Sequence, residues 1–172
     1  MLVAALALAG CAGDDDESAE DWANSVCAGM STWLTEVDEA LQPLTDDGLS
    51  INEEDVETAV EQVEEATTTL VEDLDELGPP ETEGGEAAQR ELENLSTELR
   101  SEVDTVQEAV DSETGTGELA STVSMSVSEA FEEISSTLAE LRGVDPAGEL
   151  EQGFENADEC DSFREQLDEL GS

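Results

Sequence analysis

Apolar residues recur every three or four positions along most of this chain, which is the period of an α-helix with one buried face. Short segments rich in Gly, Pro and Asp interrupt the pattern. It predicts four long helices, over about residues 21–41, 50–77, 86–111 and 118–141. The second helix begins at a capping-box pattern, Ser50-Ile-Asn-Glu.

Two stretches are less regular. Residues 121–128 alternate Ser or Thr with apolar residues, which is typical of a strand, but the helical period continues through them and predicts helix. Asp145-Pro146 is a helix start, with Asp as the cap, and predicts a final helical region to about Leu170. Gly153 and Asn156 weaken that region, so we expect it to break near them into two pieces.

Four helices of similar length with short connections favour antiparallel neighbours. The predicted fold class is therefore all-α: an up-down antiparallel four-helix bundle with an additional C-terminal helical segment, spanning residues 21–172. Trp22 and Trp33 are three turns apart on one face, which favours core aromatics over a ligand-stacking pair. Thr67 takes the polar place in the apolar stripe of the second helix.

The charge is strongly one-sided. The chain has 48 Asp and Glu against four basic residues, no Lys and no His, and a formal net charge of −44. Such a surface repels phosphate, so the sequence predicts no binding of nucleic acid or of anionic lipid headgroups. The acidity favours solubility in a salty or exposed environment; the alternatives are capture of a cationic protein or peptide and loose binding of divalent ions. Arg90 and Arg100 are expected to pair with Glu residues three or four positions away.

The apolar start of the chain ends in Leu8-Ala-Gly-Cys11, which resembles the lipobox of bacterial lipoproteins. That resemblance implies a diacylglycerol on the Cys11 thiol, cleavage just before it, and attachment to the extracytoplasmic face of the cell membrane. Residues 1–10 would be the lipoprotein signal peptide and residues 11–20 the lipidated Cys with an acidic tether. No Lys or Arg precedes Cys11, so we expect the true start codon to lie upstream.

Two cysteines remain, Cys27 and Cys160. An even pair in an oxidising compartment predicts a disulfide. An up-down bundle would also return the chain to the end that carries Cys27. The alternatives are two free thiols or a metal site, although two thiolates without His make a poor zinc site.

The pattern as a whole resembles uncharacterised secreted lipoproteins of actinobacterial type. The likeness is carried by the lipobox, the acidic tether and three short motifs: Trp22-Ala-Asn-Ser-Val-Cys27, Leu77-Gly-Pro-Pro80 and Ala157-Asp-Glu-Cys160. These motifs are structural. The resemblance implies no activity and no functional residues beyond the cysteines.

The composition offers few side-chain types that could act in catalysis. With no His, Lys or Tyr, carboxylates are the remaining general acids and bases, and no phosphate-binding loop, nucleophile elbow or metal-binding His motif occurs. We predict no catalytic residue, no metal site and no cofactor other than the diacylglycerol on Cys11. The expected function is a lipid-anchored, non-enzymatic binding or scaffold protein of the cell envelope, with a cationic partner. The alternatives are an acidic, salt-adapted spacer, a weak divalent-cation binder or, less favoured, a carboxylate-based hydrolase.

Overall fold

The computed structural model describes residues 18–46, 53–112 and 115–170. These residues form six α-helices and no strand, so the all-α prediction is confirmed. The helices are α1 (Ala19–Asp46), α2 (Glu53–Glu76), α3 (Gly85–Asp111), α4 (Thr116–Gly143), α5 (Glu149–Asn156) and α6 (Asp158–Leu170). The Ser-rich stretch at 121–128 is helical within α4, as predicted.

Helix α1 is longer than predicted at both ends. Ser18 caps its start: the Asp21 N–H donates to Ser18 Oγ at 3.1 Å, and the Ser18 hydroxyl donates to the Asp21 carboxylate at 2.7 Å. At the other end the helix passes through Pro43 to Asp46, although we expected turn residues to end it near residue 41. Pro43 has no N–H to donate to the Glu39 carbonyl, so the helix lacks one backbone bond there, while Leu41 and Leu44 pack against the core on either side of it.

The connection from α2 to α3 ends in a turn over residues 80–85. The Thr82 N–H donates to the Pro80 carbonyl at 2.8 Å, and the Gly85 N–H donates to the Thr82 carbonyl at 3.1 Å. A Cβ on Gly85 would lie 2.0 Å from the Pro80 carbonyl oxygen, so only Gly fits there. The predicted capping box of α2 falls partly on residues 50–52, outside the described residues.

Asp145 caps the C-terminal region but not at the predicted helix start. Its carboxylate accepts the N–H groups of Ala147, Glu149 and Leu150 at 2.7–3.1 Å. Pro146 is therefore in a turn, Gly148 adopts the left-handed conformation with φ of 75°, and α5 begins only at Glu149. The predicted break is confirmed: extended backbone at Ala157 separates α5 from α6.

Consecutive long helices pack side by side and antiparallel. Trp22 contacts Gly78 and Trp33 contacts Thr67, so α1 and α2 run in opposite directions. Helices α2 and α3 are also antiparallel: Gln107 hydrogen-bonds to Glu64, and Arg100 pairs with Asp75, so later residues of α3 meet earlier residues of α2. The core draws on all six helices; its largest buried side chains are Trp22, Trp33, Phe154, Phe163, Met30, Leu70, Leu92, Leu95, Leu99, Ile134, Leu141 and Leu150.

Helices α5 and α6 occupy different positions on this core. Helix α5 contacts both α1 and α4 and fills the space between them. Helix α6 packs on α1 and α5 but, among the described residues, makes no close backbone approach to α4. A gap therefore remains between α4 and α6, over α1.

Candidate binding groove and acidic seam

The structure brings two of the three predicted site residues together. Cys27 on α1 and Cys160 on α6 lie at disulfide-bonding distance, with their Cα atoms 5.0 Å apart and both side chains buried. Cys11 lies outside the described residues. Next to the pair, the Glu159 N–H at the start of α6 donates to Asn24 Oδ1 at 3.1 Å, so α1 supplies the cap that orients this helix.

Aromatic residues near the cysteines are structural. The Trp22 indole N–H donates to the Gly78 carbonyl at 2.9 Å, and its ring meets Phe154 edge-on with centroids 6.0 Å apart. The Arg142 guanidinium lies 5.8 Å from the centroid of the same Phe154 ring. Trp22 and Trp33 are both buried, so the interpretation as core aromatics is confirmed and a stacking pair for a ligand is wrong.

Two of the four arginines form ion pairs with nearby acidic residues. Arg100 on α3 pairs with Asp75 on α2, and Arg164 pairs with Asp161 at 2.9 Å within α6. The prediction that Arg100 pairs within its own helix is wrong, because α2 lies antiparallel beside α3 and presents an acidic residue there. Both pairs are exposed, so each contributes little to stability. Most of the acidic surface is left without a basic neighbour.

Helices α3 and α4 meet along a seam of facing carboxylates, which we call the acidic seam: Glu91, Glu98 and Glu102 on α3, and Glu129, Glu133 and Glu140 on α4. Part of it opens as a cleft of about 300 Å³. The pKa of Glu98 is raised, first by desolvation and then by a hydrogen bond to the Glu133 carboxyl and repulsion from Glu133, Glu140 and Glu91. Two carboxyls can hydrogen-bond only when they share a proton.

Glu102 lies where the seam meets the core. Desolvation raises its pKa most; repulsion from Glu129 and Glu133 adds to this, while a hydrogen bond from Ser126 opposes it. Its Oε2 is buried without a hydrogen-bond partner. Glu102 lines a narrow, mostly apolar crevice of about 20 Å³ between the helices, which has room for about one water molecule. Such a space is too small for a substrate.

The gap between α4 and α6 forms a mostly apolar concavity. We call it the groove, and its lining residues are Trp33, Leu34, Val37, Asp38, Leu41, Val127, Ser128, Phe131, Glu132 and Leu167. Its volume is about 420 Å³. Its polar lining residues are Ser128 and two acidic residues, Asp38 on α1 and Glu132 on α4; the others are apolar, and no basic residue lines it. Within the described residues, this is the arrangement best suited to bind another molecule.

The groove could not be recognised from the sequence. Val127, Phe131 and Leu167 fit the predicted core stripes, and the structure leaves them partly exposed because α6 lies away from α4. The signal that existed was the short C-terminal segment, which is too short to cover α1 and α4 along their whole length. The spacing of apolar residues alone does not predict which side of the core remains uncovered.

Comparison with known proteins gives no relative: no protein-family model, no curated protein and no solved structure matches this chain. The lipoprotein resemblance therefore stays a prediction. None of the described helices is long and apolar enough to cross a membrane. Across residues 18–46, 53–112 and 115–170, no group of three or more Cys, Asp or Glu is arranged to hold a metal ion.

Proposed function

We propose that this chain is a non-enzymatic binding or scaffold protein of the cell envelope. A diacylglycerol on Cys11 anchors it to the extracytoplasmic face of the cell membrane. In this proposal α1 to α4 form an up-down antiparallel four-helix bundle, with α5 and α6 as the additional C-terminal segment. The antiparallel contacts between consecutive long helices support that arrangement.

The groove is the observation that carries the binding role. Exposed apolar surface that is concave and bordered by polar groups is typical of sites where proteins bind partners. Asp38 and Glu132 give this groove a negative border, and the net charge of −44 attracts cations from a distance. The partner we propose is therefore a cationic protein or peptide.

The anchor is supported by the lipobox-like Leu8-Ala-Gly-Cys11 and is tested by fractionation. Replacing Cys11 with Ala removes the thiol that would receive the lipid. We expect the variant to move from detergent-requiring membranes to the soluble or secreted fraction, since no described helix could replace the anchor. Cys11→Ala protein that still needs detergent for its release would contradict the anchor.

The binding role is tested by capturing envelope proteins on the full chain carrying Cys11→Ala, at low and at near-physiological salt. Recovery of one cationic protein in fixed stoichiometry at both salt concentrations supports a binding protein. General capture of basic proteins that disappears with salt supports the acidic spacer instead, because exposed charges more than about 8 Å apart are screened at about 0.15 M.

A further inference from the structure

The groove has the dimensions and chemistry of a site for an α-helix. Its α1 wall runs from Trp33 to Leu41, a distance of about 12 Å at 1.5 Å rise per residue, which is about two helical turns. Val127 and Phe131 on α4 lie one turn apart on the facing wall, and Leu167 of α6 closes one side. The walls are thus rows of side chains spaced by four residues, the surface against which helices pack.

The neighbouring part of the same fold supports this interpretation. Near the cysteine pair, α5 lies between α1 and α4, and its buried Leu150 and Phe154 contribute to the core. The groove lies beside that space, between α4 and α6, where the described part of α6 contacts α1 but makes no close backbone approach to α4. An added helix of two to three turns would cover Val127 and Phe131 as α5 covers its own part of the core.

Charge restricts the occupant further. Asp38 and Glu132 stand on opposite walls, and neither has a basic side chain beside it in the groove lining. An acidic helix would be repelled by both carboxylates. A neutral helix would leave both of them without a positive partner. A helix with Lys or Arg on either side of its apolar stripe would pair with both.

From these observations we infer that the groove binds a cationic amphipathic helix of a partner protein, with apolar residues at i, i+3 or i+4, and i+7 inserted between α4 and α6. This inference rests on the proposed binding function and names its site and the form of its partner. The long-range acidity attracts the partner, and the groove selects its helical, one-sided arrangement of apolar residues.

The probe is a Leu/Lys peptide of about 18 residues, five turns, with one apolar face. A second peptide has the same composition in an order that destroys the face. Both are titrated calorimetrically into the full chain carrying Cys11→Ala at near-physiological salt. We expect saturable one-to-one binding of the amphipathic peptide, at least about tenfold tighter than binding of the scrambled one.

Charge-matched variants locate the binding. Phe131→Glu places a carboxylate in the groove, whereas Met125→Glu adds the same charge at an exposed apolar residue of α4 outside it. Attraction by charge alone predicts that both variants bind the peptide at least as well as the parent. Docking in the groove predicts a loss of about tenfold or more for Phe131→Glu and no loss for Met125→Glu.

A second pair keeps the test valid if Phe131→Glu unfolds. Ser128 and Ser124 are both exposed on α4, one turn apart, and only Ser128 lines the groove. Ser128→Phe should fill the groove and weaken binding, and Ser124→Phe should not. Circular dichroism and the urea midpoint report whether each variant is folded.

Each contrary result has a distinct meaning. Equal binding of both peptides to all variants would overturn the groove site and leave a cationic partner in place. Binding of neither peptide would overturn the helix site, while the capture experiment would still decide the proposed function. Self-association lost in Phe131→Glu, or a fluorescent fatty acid bound by the parent and released in Ser128→Phe, would assign the groove to another occupant.

Discussion

Trp33 donates its indole N–H to the hydroxyl of Thr67 at 3.1 Å inside the core, and Thr67 in turn donates to the Val63 carbonyl at 2.8 Å. These two successive hydrogen bonds explain why a polar residue interrupts the apolar stripe of α2. A buried indole N–H without an acceptor would lose its hydrogen bond to water and gain nothing in return.

Replacing Thr67 with Val keeps the shape of the side chain and removes the acceptor. We expect the free energy of unfolding to fall by about 1–3 kcal/mol, the usual cost of an unsatisfied buried polar group. Thr67→Ser keeps the hydroxyl and should lose less. The measurement is urea unfolding followed by far-ultraviolet circular dichroism. Equal midpoints for Thr67→Val and the parent would show that the bond contributes nothing.

Gly153 is required where α5 crosses the start of α1. A Cβ at this position would lie 2.5 Å from the carbonyl oxygen of Ala19, which is backbone and cannot rotate away. Gly153→Ala should therefore destabilise the fold by about 1–3 kcal/mol, although Ala favours helix. Gly117→Ala, in the first turn of α4 with open space around the added Cβ, is the control and should be neutral or slightly stabilising. A Gly153→Ala protein as stable as the Gly117→Ala protein would contradict this close approach.

Reduction should lower the melting temperature while most helicity remains. A Cys27–Cys160 bond links positions 133 residues apart, and restricting a loop of that length in the unfolded chain is worth roughly 4–5 kcal/mol in the chain-entropy model. Thermal melts with and without reductant measure the effect. The double variant Cys27→Ser/Cys160→Ser should melt like the reduced parent and be insensitive to reductant. Mass spectrometry that finds both thiols free in protein isolated without reductant would exclude the bond.

The acidic seam should make stability depend on pH. Folding raises the pKa of Glu98 and Glu102 above the value of about 4.3 expected in the unfolded chain. At pH values just above this, the folded state therefore binds more protons than the unfolded chain. The stability that these two groups contribute increases as the pH falls toward the unfolded value and is lost as the pH rises through the folded pKa values. The urea midpoint at about pH 7 and pH 5 measures this change.

Variants separate the seam from the general acidity, which also favours lower pH in a chain of net charge −44. Glu98→Gln/Glu102→Gln should be more stable than the parent at pH 7 and gain less on acidification, because the repulsion and desolvation are already gone. Glu57→Gln/Glu72→Gln removes two exposed charges on α2 and is the control. An equal pH response in both double variants would mean that the seam has no special role.

The sequence by itself determined the secondary structure and the interior, because both depend on local period. Apolar spacing predicted the long helices, the helical state of 121–128, the break near Asn156 and the burial of both Trp residues. The ends of helices were less accurate: α1 continues through Pro43, and α5 starts at Glu149 rather than Pro146. Contacts made elsewhere in the fold, by Leu44 and by the Asp145 carboxylate, decide those ends.

Tertiary structure alone decided which faces of the helices meet. Carboxylates are spread over every helix, so the sequence gives no reason to single out Glu98 and Glu133 until α3 and α4 are placed side by side. From the sequence, Gly153 is expected only to weaken its helix. In the structure it lets the backbone of α5 approach the Ala19 carbonyl closely. The groove exists because α5 contacts both α1 and α4, whereas α6, over its described residues, contacts α1 but makes no close backbone approach to α4. This difference depends on where the helices lie in space, which the period of apolar residues along the sequence does not specify.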